Sequence, residues 1–251
     1  MQHPDALRRA ALARNPGAPW VTWYRLVPSD TDGCTVAARV ELSNTTLANW
    51  IAKTAGFLSE EFDVGPGTTV GLSLPLHWLL HVWSYGAWAL GAAVAHVGPE
   101  DDRDGLAVTI AAPGADGQLA LQPADGPLLA CGSGPMGMPL GAATPAGAID
   151  ALAEVRGYPD FFAFDDVAAD APVLNNGATV LTPALISAAP DSPDTLLAAL
   201  LAGPSCGAPA VLVDIAPGAD RDPERLRAAL RLIAQQEGLD PPAAAGTNAA
   251  P

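Results

Sequence analysis

The chain has 251 residues, 49% of them hydrophobic, which suits one large domain or two small ones with a proper core. Twenty-seven acidic residues against 12 basic ones leave a formal net charge of −15. Phosphate backbones and anionic lipid heads repel such a chain, so nucleic acid and membrane surfaces are excluded as expected partners.

The first 20 residues lack an unbroken apolar stretch and predict a helix over Pro4–Arg14, stopped by Asn15-Pro16-Gly17, rather than a secretion signal. "WVTWY" (20–24) and "ARVELS" (38–43) read as strands around a turn-rich "PSDTDG". Ser43 offers a helix N-cap. Leu47, Trp50, Ile51, Thr54, Ala55, Leu58 and Phe62 then recur at helical spacing, with Lys53 and Glu60 off the stripe, predicting a helix from Thr45 to Phe62. "VGLSL" (70–74) follows as a strand, and "GPEDDRDG" (98–105) is an acidic loop. "LAVTI" (106–110) and "LLACG" (128–132) are further strand candidates, and "PAGAIDALAEV" (145–155) reads as a helix near 146–156. Residues 157–180 are rich in turns. "TPALISAA" (182–189) and "PDTLLAALLAG" (193–203) read as helices, and "PAVLVDI" (209–215) as a buried strand. A helix over 222–238 has Asp222 before Pro223 at its start and Gly238 at its end. Three segments result: an N-terminal arm (1–19), a main domain (20–238) and a tail expected to be disordered (239–251). Strands alternating with helices make an α/β fold with some parallel pairing.

Cys34, Cys131 and Cys206 are odd in number, far apart and form no CxxC pair, which suits a reducing cytoplasm better than a disulfide framework or a cysteine zinc site. The run from Val70 to Val97 contains no Asp, Glu, Lys or Arg, yet holds three of the four histidines and three of the six tryptophans. Such a run is long enough to span a bilayer. Pro75 interrupts it, however, the histidines add polar cost, and both flanks are acidic with no Lys/Arg cluster. A metal site on His77 and His81, with His96 as a third ligand, is another reading. Trp78 stands where the HExxH motif has its Glu, and the two histidines then mark the wetter face of a buried helix. The expectation is a β–α–β crossover: strand Val70–Leu74, helix His77–Leu90, strand Ala93–Val97, continuously apolar because it is covered on both faces.

Other motifs carry little. "CGSGPMG" (131–137) matches GxGxxG, but Pro139, Gly141 and Pro145 prevent a helix from opening at the third glycine, so a turn-rich loop is expected. Asp165–Asp166 reads as a solvated pair or a helix cap, and Cys206 as loop packing.

"ELSNTTLANWIAKTAGFLSEEFDVGPGTTVGLSLPLHWLLHVWSYGAWALGAAVAHV" (41–97) resembles the start of acyl-CoA synthetases and other adenylate-forming enzymes, through Thr45–Leu47, "DVGPGTTV" and "GAAV". "IDALAEVRGYPDFF" and "LLAALLAGPSCGAPAVLVD" resemble segments of an actinobacterial family related to that N-terminal domain. The resemblance implies a partial adenylate-forming N-terminal domain with mixed and parallel sheets covered by helices. In the family, a Ser/Thr/Gly-rich loop ending in Pro-Lys-Gly cradles the ATP phosphates. The resemblance implies that its counterpart is "APVLNNGATVLTPALISAA", with Asn175, Asn176, Gly177, Thr179 and Thr182 as the remnant of the nucleotide loop, while "NNG" (175–177) also reads simply as a tight turn. That stretch carries no lysine, and Lys53 is the only one in the chain. The Tyr-Gly-x-Thr-Glu motif is not found, and the chain stops before the family's hinge and small C-terminal domain. The expectation is a degenerate, truncated relative without ligase activity alone, holding no metal or cofactor. It would bind a small nucleotide or acyl ligand or a protein partner. The alternative is one component of a split acyl-adenylating ligase.

Overall fold

The structure is a computed structural model that describes residues 3–31, 33–121, 126–165, 167–168, 171, 185–186, 200–201, 209–220 and 222–239. Helix α1 (Pro4–Arg14) begins at the His3 cap, and its Asp5 and Arg8 are buried as an ion pair of 2.6 Å. The chain then forms an antiparallel hairpin of β1 (Pro19–Ser29) and β2 (Gly33–Ser43). Helix α2 (Asn44–Phe62) starts at Ser43, whose hydroxyl accepts from the Thr46 N–H as the sequence predicts. Strand β3 (Thr69–Ser73), helix α3 (Trp78–Ala89) and strand β4 (Ala93–His96) form a parallel crossover unit. Gly91 closes the helix at φ 78°, a left-handed conformation that favours glycine. Next come β5 (Val108–Ala111), β6 (Leu128–Ala130) and β7 (Ile149–Asp150), then α4 (Ala151–Val155). Strands β8 (Leu185–Ile186) and β9 (Ala210–Ile215) precede the last helix, α5 (Pro223–Gln236).

The strands make two sheets. One is parallel throughout, in the order β4-β3-β5-β6-β7. The other runs β2-β1-β9-β8, with β1, β9 and β8 parallel and β2 antiparallel at the edge. Strand β1 is covered on both faces. Val21 and Trp23 face the main core, and Tyr24 and Leu26 face a second cluster with Leu230 and Ile233 of α5. This accounts for a strand that reads as almost continuously apolar.

Helix α3 sits at the centre of the main core, and every one of its 12 residues is buried. Its neighbours are tied to it by indole donors. Trp20 on β1 donates to His81 Nδ1 at 3.2 Å, and Trp23 donates to the Leu76 carbonyl at 2.8 Å. Within α3, Trp78 donates to the Pro135 carbonyl at 3.0 Å and Trp83 to Cys131 Sγ at 3.3 Å. A buried Trp needs such an acceptor, since an unbonded N–H away from water costs about 1–3 kcal/mol. Gly86 lets α2 approach: a Cβ there would meet Thr54 Cγ2 at 2.8 Å.

Three sequence expectations are corrected. The helix over 146–156 is shorter, because Ile149–Asp150 pair with Leu129–Ala130 as β7 and Asp150 then caps α4. The helix over 182–189 is contradicted where it is described: Leu185–Ile186 are a strand beside Val211–Leu212. Parallel pairing with a buried neighbour outweighs local helical propensity there. The histidine face of α3 is not wetter, since His77 and His81 are 1% and 0% exposed. Helix 193–203 is described only at Leu200 and Leu201, which are helical. The tail from 240 onward lies outside the described residues.

Candidate functional site

The order β4-β3-β5-β6-β7 places the reversal of strand order between β3 and β5. Beyond β3 the chain crosses to β4 on one side, and its next strand, β5, lies on the other. The loops leaving the carboxyl ends of β3 and β5 therefore diverge, and in open α/β sheets that divergence makes the ligand crevice. A cavity of about 490 Å³ occupies this place. Ser73 and Leu74 continue β3 into it, His96 ends β4, Ala112 and Pro113 follow β5, and Ser133 follows β6.

The cavity's cation comes from the other sheet. Arg25 on β1 lines it and pairs with Asp214, its register neighbour on β9. Asp214 is the more buried partner, at 11% side-chain exposure against 34% for Arg25. Burial pushes its carboxyl above the ordinary value, opposed by the Arg25 charge and hydrogen bond. One guanidinium nitrogen is thus anchored by Asp214 while the side chain lines the crevice. His77, the α3 cap, is buried two residues beyond Pro75, which lines the crevice. Its Nδ1 accepts from the Leu79 N–H at 3.2 Å. Burial lowers its pKa to about 3, helped by the Arg25 charge, although the Gly134 backbone opposes the shift. The imidazole is therefore neutral at physiological pH.

Among the described residues no three or more His, Cys, Asp or Glu side chains come together as a metal site. His77 and His81 each use Nδ1 internally, and His96 lines the crevice alone. The glycine-rich run 131–137 is loop, as expected, with no helix at its third glycine. Asn175, Asn176, Gly177, Thr179 and Thr182 lie outside the described residues, as do Asp166 and Cys206. Lys53 is held on the outer side of α2 by Asp160 at 2.9 Å and by the Tyr158 carbonyl. It is not among the crevice residues. Sequence reasoning missed Arg25 and Asp214. The available signal was one charge of opposite sign in each of two apolar strands, "WYRLV" and "VLVDI".

The fold is similar to that of part of several solved enzyme structures. Brucella canis acyl-CoA synthetase superimposes with a TM-score of 0.64 at 15% identity over 94% of this chain and 46% of its own. Klebsiella oxytoca NpsA, solved with 3-hydroxyanthranilyl-AMSN, gives 0.59 at 11% identity, covering 92% of this chain and 46% of its own. The nonribosomal peptide synthetase FmoA3 gives 0.59 at 16% identity over 92% of this chain and 24% of its own. No protein-family model matches the chain. A Mycobacterium tuberculosis H37Rv protein, named only by a family number, is 38% identical over 91 residues, 36% of this chain and 34% of that protein. The chain thus matches about half the length, or less, of these relatives. No helix among the described residues is long and apolar enough to cross a membrane.

Proposed function

We propose that this chain is a degenerate relative of the acyl-CoA synthetases that binds a small anionic ligand, of nucleotide or acyl type, without forming acyl adenylates by itself. The observation that carries this reading is the position of the single lysine. ATP activation develops charge on the phosphates that a lysine must balance. Lys53 is committed to Asp160 and Tyr158 on the outer side of α2. Asn175, Asn176, Gly177, Thr179 and Thr182 could contribute backbone N–H and polar groups to a bound phosphate, but no cation. Arg25 at the mouth of the crevice supplies the cation for an anionic ligand. A reducing, cytoplasmic setting accords with the free, buried thiols of Cys34 and Cys131.

Thermal shift with ATP, AMP, CoA and acyl-adenylate analogues tests the binding. A ligand of the native state raises stability by RT ln(1 + [L]/Kd), so at least one of these anions is expected to raise Tm at millimolar concentration. The double variant Arg25→Gln/Asp214→Asn removes the cation without stranding its carboxylate and should abolish the shift. Pyrophosphate exchange by the purified chain with any carboxylic acid would overturn the non-catalytic reading. Exchange that appears only on adding a second, lysine-bearing polypeptide would make the chain one component of a split ligase.

A further inference from the structure

The outer face of α2 carries a second hollow, of about 400 Å³, that shares no lining residue with the crevice at the strand ends. Thr46, Asn49, Trp50 and Lys53 line it at i, i+3, i+4 and i+7, which places all four on one face of the helix. Arg156 and Asp160, just after α4, complete it. The volume falls within the range of about 300–1,000 Å³ usual for small-ligand pockets.

Its chemistry is unlike the rest of this surface. The chain carries 27 acidic residues against 12 basic ones, yet the hollow collects two cations and one carboxylate. Asp160 is 60% exposed and spends its charge on Lys53. Arg156 is engaged through one nitrogen only, donating to the Gly137 carbonyl at 3.0 Å and to Met138 Sδ at 3.3 Å. Its remaining fork is left for a planar acceptor such as a carboxylate. Trp50 brings the aromatic wall. Trp78 lies against it with ring centroids 5.5 Å apart, which fixes the indole in place. The other five tryptophans are all 3% exposed or less, so Trp50 is the one that a bound molecule can reach. A rigid indole and a half-used guanidinium in one small hollow recognise a flat ring bearing a negative charge.

We infer that the α2–α4 hollow is a binding site for a small aromatic carboxylate, separate from the crevice at the strand ends. The ring lies against Trp50, and the carboxylate meets the unused fork of Arg156. The site is tested on the intact chain by titrating salicylate, with benzoate as a second probe, and following tryptophan fluorescence. Saturable quenching is expected, because only the half-buried indole is within reach. Benzamide, which keeps the ring and loses the charge, should bind at least tenfold more weakly. Arg156→Gln and Trp50→Phe should each weaken salicylate at least tenfold, the second also removing the quenching. The crevice variant Arg25→Gln/Asp214→Asn should leave it unchanged, so failure of this site and failure of the proposed function are read separately. Equal binding of benzamide and benzoate by the unmodified protein would overturn the inference. So would the lack of saturable quenching, or salicylate binding that survives Arg156→Gln in a variant with native near-UV circular dichroism.

Discussion

Helices α3 and α5 are of similar length, 12 and 14 residues, and lie in opposite surroundings. The α5 helix carries Glu224, Arg225, Arg227 and Arg231 and buries only Leu230, Ile233 and Ala234 against the β1–β9 face. The α3 helix carries no charge and buries everything. Some of its polar atoms meet protein partners, through the Trp20–His81 and Trp83–Cys131 contacts and the His77 cap. A charge-free helix capped by one buried histidine and carrying another is therefore a sign of protein on every side. Lipid would have left those polar atoms without partners, and a surface helix would have left its indoles wet.

The comparison can be broken most forcefully at Trp83. Trp83→Ala should cost about 3–5 kcal/mol, because a fully buried indole leaves a large cavity, and the denaturant midpoint reads it. The next effect is electrostatic. The unfolded His77 takes a proton near its ordinary pKa of 6.5, whereas burial holds the folded one at about 3. Between those values the unfolded state binds more protons, so stability is present above pH 6.5 and falls as pH drops through this window. One such group gives a slope of up to about 1.4 kcal/mol per pH unit. His77→Asn keeps a capping acceptor and removes the titration, so it should flatten the dependence of the urea midpoint between pH 6.5 and 5. If the slope is unchanged, the titration is not that of His77.

On α5 the expected effects shrink. Asp222 accepts from the N–H groups of Glu224 and Arg225, both at 3.1 Å, and Asp222→Ala should cost about 1 kcal/mol by chemical denaturation. Leu232 is 66% exposed, and Leu232→Ser should move the midpoint by less than about 0.5 kcal/mol. A large loss at Leu232 would show that α5 is covered as α3 is.

What the sequence made legible follows the strength of local signals. Helices α1, α2 and α5 show caps and periodicity, and their observed ends agree with the expected ones within a residue or two. The β3–α3–β4 unit was readable because Pro75, Gly91 and the missing charges punctuate it. The two-residue strands β7 and β8 were not readable, since two residues carry no period and their pairing depends on partners far along the chain. The hairpin was read too short because Arg25 and Pro28 look like interruptions, whereas Arg25 is matched by Asp214, 189 positions away. The crevice assembles from four strand ends and β1, so no contiguous motif announces it. The α2 hollow was half visible: Trp50 was assigned to the apolar stripe and Lys53 lay off it, and the structure brings both to one hollow.

The Trp83–Cys131 contact has a practical consequence. Cys131 is wholly buried, and burial pushes its thiol up to about 12. Thiol reagents attack the thiolate and need a path to it, and the closed structure offers neither. Alkylation of Cys131 in the native protein therefore proceeds only during moments when the packing around α3 opens. The rate of that labelling, followed by mass spectrometry of the peptide, is a built-in clock for how often the centre of the molecule breathes.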